Sequence, residues 1–260
     1  MIFTSPQQRR LANRRLAPGL ISAAVLALSA CGGNNSTPPG AGNVALANGT
    51  SDSNGMTAAV SNIPTVGPIS FDSASGLNVV PEGSYKVQLT TGNGSGGSQT
   101  FTVNNVSIDH NNTTTVFSYG TVAGKTINGF PAEISVNAPA NGQFTVQTVH
   151  AAYAGSLVSP SINFYFVKPG AGISGTPAAV SFGTSPPSFA LPSGTYEIIV
   201  TADLVKVYDS GPKGVILPPN NTNVVQIAAL DAPGAPNGSP ISLLMLDNDG
   251  GNTPLLNGAH

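Results

Sequence analysis

Two stretches of this chain repeat each other 111 residues apart without a gap, and that spacing constrains the fold more than any other feature. Ile69-Ser70-Phe71 is answered by Val180-Ser181-Phe182. Pro81-Glu82-Gly83-Ser84-Tyr85-Lys86-Val87-Gln88-Leu89-Thr90 is answered by Pro192-Ser193-Gly194-Thr195-Tyr196-Glu197-Ile198-Ile199-Val200-Thr201. A third match, Asn111-Asn112-Thr113 with Asn220-Asn221-Thr222, falls at an offset of 109 and reads as a loop shortened by two residues. A period near 110 is far too long for a solenoid unit and suits one sandwich domain of about 100 residues.

The repeated segments read as strands. Tyr85, Val87 and Leu89 alternate with Lys86, Gln88 and Thr90, which puts the apolar groups on one face. Ile198-Ile199-Val200 is more continuously apolar, as in a strand covered on both sides. Pro-Glu-Gly and Pro-Ser-Gly each precede a strand, Pro fixing φ and Gly supplying the turn. Further strands are expected over residues 101–108, 114–119, 132–136, 144–150, 162–167, 205–208, 224–230 and 241–246. Charged residues are only 8% of the chain while Gly numbers 31 and Pro 22, so helix formers are scarce and turn formers abundant. The expected fold is all-β, two tandem Ig-like antiparallel β-sandwich domains. The apolar-free NAPANG segment, residues 137–142, is the expected boundary between them. The first unit shows no clear counterpart of residues 144–167, so its leading strands are expected to be short, divergent or missing.

At the amino terminus Arg9, Arg10, Arg14 and Arg15 precede an apolar run, residues 16–28, and then Ser29-Ala30-Cys31. That order is a secretion signal, too short to span a bilayer as a mature helix. Leu28-Ser29-Ala30-Cys31 resembles the bacterial lipobox, whose cysteine takes a diacylglyceryl group and becomes the first residue after cleavage. Cys31 is the only cysteine, as expected of an exported chain without disulfides. The expected organisation is a signal peptide over 1–30 and a lipidated Cys31 with a flexible linker over 31–56. A divergent first repeat over 57–138, a second repeat over 143–248 and a tail over 249–260 follow. The Gly/Asn/Ser-rich stretch 32–55 has no apolar period and reads as a tether of 24 residues, spanning on the order of 27 Å.

With the signal removed, nine basic residues become five lysines against eleven acids, a formal charge of −6 with no arginine. Phosphate contacts need clustered Lys/Arg and base reading favours Arg, so no nucleic-acid partner is expected. The same deficit disfavours electrostatic attachment to anionic lipid.

These segments also carry a family resemblance. Phe144-Thr145-Val146-Gln147-Thr148-Val149-His150-Ala151 resembles the opening strand of the bacterial secreted family known as domain of unknown function 4397. Ser161-Ile162-Asn163-Phe164-Tyr165-Phe166 takes the place of its second strand, with Asn163 where an acid is usual. Val180-Ser181-Phe182-Gly183 and Leu191-Pro192-Ser193-Gly194-Thr195-Tyr196 resemble its most recognisable segment, and Val207-Tyr208-Asp209 and residues 241–247 its later strands. Residues 152–160 depart from the short Pro/Asp-rich turn usual there. The likeness covers 143–248 well and 57–138 loosely. It implies a tandem β-sandwich on a cell-envelope protein, and no reaction.

Few residues suggest chemistry. His150, ending an apolar strand, suits a general base or a metal ligand, but no His-x-His or Glu-x-x-His spacing accompanies it or the other histidines, His110 and His260. A structural histidine hydrogen-bonded at a strand end is the expectation. Asp247-Asn248-Asp249-Gly250-Gly251-Asn252 offers alternating oxygens for calcium, yet lacks the later glutamate of a calcium loop and reads as a solvated turn. Residues 92–97, GNGSGG, lack the Lys-Ser/Thr end of a phosphate loop and read as a hairpin tip. No Gly-x-Ser-x-Gly elbow is present.

No catalytic residue, metal or cofactor is expected; Cys31 is the expected lipidation site. The chain reads as a non-catalytic, lipid-anchored cell-envelope protein of the outer membrane, facing periplasm or surface, that binds or displays. Its expected partners are the membrane through the lipid on Cys31 and an envelope protein or glycan. The alternatives are a secreted hydrolase, using His150 with Asp109, Asp203 or Asp209, and a carbohydrate binder using Tyr153 and Tyr165.

Overall fold

A computed structural model of the chain describes residues 40–61, 63, 65–92, 97–153, 159–233, 238–255 and 257–258. The N-terminal half contains β1 (Ala41–Asn48), β2 (Met56–Val60), β3 (Val66–Ile69), β4 (Ser73–Ala74), β5 (Asn78–Pro81), β6 (Gly83–Gly92), β7 (Ser98–Ile108), β8 (Asn112–Tyr119) and β9 (Asn128–Ser135). The C-terminal half contains β10 (Gln143–His150), β11 (Ser161–Val167), β12 (Ala178–Ser181), β13 (Phe189–Pro192), β14 (Gly194–Ala202), β15 (Val205–Asp209), β16 (Val215–Leu217), β17 (Val224–Asp231), β18 (Ile241–Asp247) and β19 (Asn252–Leu255).

Each half is a pair of sheets. In the N-terminal half β4-β1-β8-β9, with β5 also on β1, faces β3-β2-β6-β7. In the C-terminal half β13-β10-β17-β18-β19 faces β12-β11-β14-β15, with β16 also on β14. Alternation places Val87 and Leu89 of β6 in one core with Met56, Ala58, Val103 and Val116. Phe144, Ile162, Phe164, Ile198, Val200, Tyr208 and Ile227 form the equivalent core of the other half. The repeat is visible in the ladders: Ala41 pairs with Pro81 as Gln143 pairs with Pro192. Asn43 pairs with Thr113 as Thr145 pairs with Val224, so β8 and β17 are equivalent at 111 residues and the sequence match at 109 is not the structural one.

Four expectations are corrected. The expected tether over 32–55 is overturned from Ala41 onward, because residues 41–48 are a buried strand whose small apolar side chains, Ala41, Val44, Ala45, Leu46 and Ala47, carry no period that a linker reading would register. The leading strands of the first repeat are therefore present: β1 and β2 occupy the places of β10 and β11. The sheets are not purely antiparallel, since β1 runs parallel to β8 and β10 parallel to β17. The tail contains β19, whose Pro254 is tolerated because the strand lies at a sheet edge.

The halves are not separated by a linker-filled gap. Ala47, Phe117 and Ala132 of the first share a buried cluster with Val149, Ala228, Leu230, Leu244 and Leu246 of the second. β17 is covered on both faces, which explains its unbroken burial. Polar bonds cross the same interface. The Gln226 amide accepts from Thr115 Oγ1 at 2.5 Å and donates to the Ala132 carbonyl at 3.3 Å, while a bond to Gln147 Oε1 at 2.7 Å, within the C-terminal half, orients it. Gln147 donates to the Glu133 carbonyl at 2.9 Å. By their contacts the described residues group as one compact unit.

Thr113 lies against Val224, and Thr115 against Gln226, so β1, β8, β10 and β17 all run the same way. One end of the molecule holds their starts, Gly40 included. The other holds their ends, Tyr119 and His150 among them.

Candidate functional site

The ends of β8 and β10 bring six aromatic rings together across the two halves. Phe117 stacks on Phe130 at 5.9 Å, and Tyr119 contacts Phe130 at 6.1 Å. Tyr119 then crosses to the C-terminal half. Its ring lies nearly parallel to that of Tyr153, 6.2 Å away at 16°, and meets Phe182 edge-on at 4.8 Å. Phe182 also contacts Tyr153 at 6.1 Å, and His150 packs edge-on against Phe182 at 5.4 Å. Phe117 and His150 are buried, whereas Tyr119, Phe130, Tyr153 and Phe182 are half-buried and form the outer layer. Burial raises the pKa of the Tyr119 hydroxyl, and the neighbouring Tyr153 adds to the shift.

His150 is at 0% exposure. Its peptide group is tied down, the N–H donating to the Thr184 carbonyl at 3.3 Å and the carbonyl accepting from Gly183 N–H at 2.8 Å. The ring is not. It approaches the Ser159 backbone, but neither nitrogen closes a hydrogen bond of good geometry. Burial therefore dominates and lowers its pKa to about 4, the Ser159 backbone opposing the shift. Among the described residues His150 is thus a buried histidine at a strand end whose hydrogen bonds of good geometry are made by its peptide group, while its ring packs as an aromatic.

The other sequence candidates are scattered. Asp203 accepts from Ser159 Oγ at 3.2 Å in the β14–β15 turn. Asp209 is buried in β15; burial raises its pKa, but the Lys206 ammonium at 2.8 Å, the Gly211 N–H and Glu197 together carry it below the ordinary value. Asp109 lies at the opposite end of the molecule from His150, accepting from Ser107 Oγ at 3.1 Å. His110 sits at that end too, Nδ1 within 3.2 Å of the Ala41 carbonyl and 3.9 Å of the Glu82 carboxylate. Tyr165 is mid-strand in β11, on the face opposite Phe164 and away from the aromatic cluster. Cys31, His260 and residues 93–96 lie outside the described residues.

Asp247 uses its oxygens within its own turn. Oδ1 accepts from the N–H groups of Asp249 at 3.0 Å and Gly251 at 2.6 Å, closing the β18–β19 hairpin. Asn252 is held by Ser73 and the Ala74 carbonyl. Among the described residues no group of three His, Cys, Asp or Glu side chains could share a metal ion.

A cleft of about 410 Å³ lies along the junction of the halves, lined by Ser107, Thr114, Glu133, Gln147, Pro186 and Pro187 among others. Burial pushes the Glu133 carboxyl above the usual carboxylate range, the Asn112 amide opposing and Asp109 adding to the shift.

Residues 42–160 match the family described as Domain of unknown function (DUF4397). That span runs from β1 through β10, so the match falls on the first repeat and the opening strand of the second. The sequence likeness had placed its stronger part on residues 143–248. No curated protein matches the chain.

The sequence pointed to His150 and Tyr153, while Phe182 stood out only as a repeated residue. It did not pair them with Tyr119 and Phe130, because no local spacing reports that two sheets from different repeats pack face to face.

Proposed function

We propose that this chain is a non-catalytic, lipid-anchored cell-envelope protein, a tandem of Ig-like sandwiches that displays a binding end. The observation that carries the reading is one of direction. β1 starts ten residues after Cys31, so the start of β1 is the end of the fold that the chain ties to an anchor there, and the aromatic cluster stands where the parallel strands finish. An eight-residue strand separates those ends by roughly 25 Å. An anchor at Cys31 therefore leaves the aromatic end turned outward. The hydrolase alternative finds little support in the geometry, because the His150 ring is enclosed and no hydrogen bond joins it to Asp109, Asp203 or Asp209.

Replacing Cys31 tests the reading. A thioether diacylglycerol plus an acylated amine exceeds the two hydrophobic signals that stable anchoring takes, so Cys31→Ala should move the protein from membranes to the soluble fraction. Retention of the variant in the detergent phase at wild-type level would remove the anchor.

The half-exposed Tyr119–Tyr153 pair favours a carbohydrate as the displayed end's ligand, since aromatic faces with polar tips suit a sugar ring. The chain has no tryptophan and six tyrosines, so tyrosine emission is observable and its change on replacing Tyr153 isolates the contribution of this pair. Titration with chito-oligosaccharides should change that emission in the wild type and not in Tyr153→Ala.

A further inference from the structure

Three of the five large apolar side chains most exposed in the described structure lie at the end where β1 begins. Val79 pairs with Asn43 near the start of β1. Ile216, 71% exposed, sits in β16 opposite Thr195, at the start of β14. Ile173, 50% exposed, is in the loop that leaves the lower end of β11 at Val167. The last two belong to adjoining loops: a Cβ built on Gly214 would stand 2.8 Å from Pro169 Cγ. Beside them the two sheets of the C-terminal half part to leave an open cleft of about 350 Å³, walled by Phe166, Pro177, Ala178, Phe189 and Leu191. The other two exposed apolar residues, Leu204 and Val205, form the β14–β15 turn at the opposite end.

Chain length decides what covers this end. Between Cys31 and Gly40 the backbone can extend at most about 30 Å, nine steps of a fully extended chain. As a flexible coil those nine steps span roughly 16 Å root-mean-square, against roughly 27 Å for 24 residues and roughly 25 Å for the length of β1. Lys168 and Lys213 flank Ile173 and Gly214, while Glu82, Asp109, Asp247 and Asp249 lie at the same end. With acids and lysines mixed, the surface has no basic excess to select anionic lipid.

We infer that this end is a membrane-contact surface: with Cys31 lipidated, the loop of Ile173 and the strand of Ile216 rest on a zwitterionic bilayer, and the aromatic cluster points away. The inference rests on the anchor reading above. It adds an orientation: the short connection and the exposed apolar loops hold the molecule upright. Single exposed isoleucines are ordinary on protein surfaces. Their grouping beside an apolar cleft, at the end that the covalent path keeps near the lipid, is not.

The lipidated full chain carrying Ile173→Cys, Ile216→Cys or Leu204→Cys, each labelled with bimane, is reconstituted in phosphatidylcholine vesicles. The vesicles contain lipids that carry a nitroxide high on the acyl chain. Flotation with the vesicles, checked for every sample, reports on the anchor. Quenching reports on orientation, and is expected to be several-fold stronger at 173 and 216 than at 204. Labels at Lys168→Cys and Lys213→Cys should also be quenched more than the label at 204, which covers a variant that fails to fold. Floating protein with equal quenching at all positions, or with the strongest at 204, overturns the orientation and leaves the anchor intact. Protein that does not float overturns both.

Discussion

Tyr196 Oη donates to the carbonyl of Pro192 at 2.7 Å, and Tyr85 Oη donates to the carbonyl of Pro81 at the same distance. The two repeats thus tie the start of the equivalent strands β6 and β14 to the preceding turn by one identical bond. Each ring leans on its core without entering it: both tyrosines are half-buried, Tyr196 in edge contact with Phe144 and Phe166. The sequence pattern predicts both rings to point fully inward, and the hydroxyl bond to the turn is what holds them at the core's margin. Tyr196→Ala should therefore cost about 2 kcal/mol, less than a fully buried aromatic. Tyr196→Phe should cost about 1 kcal/mol or less. Urea midpoints of the two variants check the order; equal losses would mean that the hydroxyl alone matters.

Gln226 makes three side-chain bonds at a fully buried position, two of which, to Thr115 and to the Ala132 carbonyl, join the halves. Gln226→Ala removes the amide and leaves Thr115 Oγ1 and Gln147 Oε1 without that partner, so a loss of about 2–4 kcal/mol is expected. Because the apolar cluster spans both halves, calorimetry of the wild type should show a single endotherm. Residues 143–258 expressed alone would expose Val149, Ala228, Leu230, Leu244 and Leu246 and should bind a hydrophobic dye. Two resolved transitions and a dye-silent fragment would contradict the shared core.

His150 makes stability depend on pH with a definite sign. Its pKa is about 4 folded against an ordinary 6.5, so below 6.5 the unfolded chain takes up a proton that the folded one does not. Stability from this residue is complete above pH 6.5 and falls as pH drops toward 4, by roughly 3 kcal/mol in all. His150→Phe keeps the contact with Phe182 and removes the titration. From pH 7 to pH 4.5 the unfolding free energy of the wild type should fall by more than that of the variant; equal falls would place a charged or solvated imidazole there.

Gly49 stands where β1 ends against the other half. A Cβ at this position would come within 2.5 Å of the Ser118 carbonyl oxygen and 3.1 Å of Leu230 Cδ2. Backbone cannot yield as a side-chain tip does, so Gly49→Ala should destabilise by about 1–3 kcal/mol, measured by thermal melting. Gly142→Ala, with nothing near its Cβ but φ at +75°, should pay only for the left-handed backbone.

Much of the fold was legible because alternation and turn chemistry are local. Val87, Leu89, Ile198 and Val200 declare strands by period, and the Pro-x-Gly turns declare where β6 and β14 begin. β1 escaped notice because Ala41, Ala45 and Ala47 sit among Gly and Asn, a composition shared with linkers. Its strand character comes from β5 and β8, which lie far along the chain. The aromatic cluster was half legible. His150 and Tyr153 stand out as residues, but their union with Tyr119 depends on sheet packing, which no spacing within one repeat encodes.

The parallel pairing of β1 with β8 also sets an order of assembly. Asn43 must wait for Thr113, and Thr145 for Val224, before either opening strand gains its parallel neighbour. A two-residue hairpin cannot make such a pair, so each repeat closes only through contacts distant along the chain, which slows folding. As the chain emerges amino end first, β1 can gather β4 and β5 early, while its other edge stays open until β8 arrives. The first strand to be made is thus among the last to be finished.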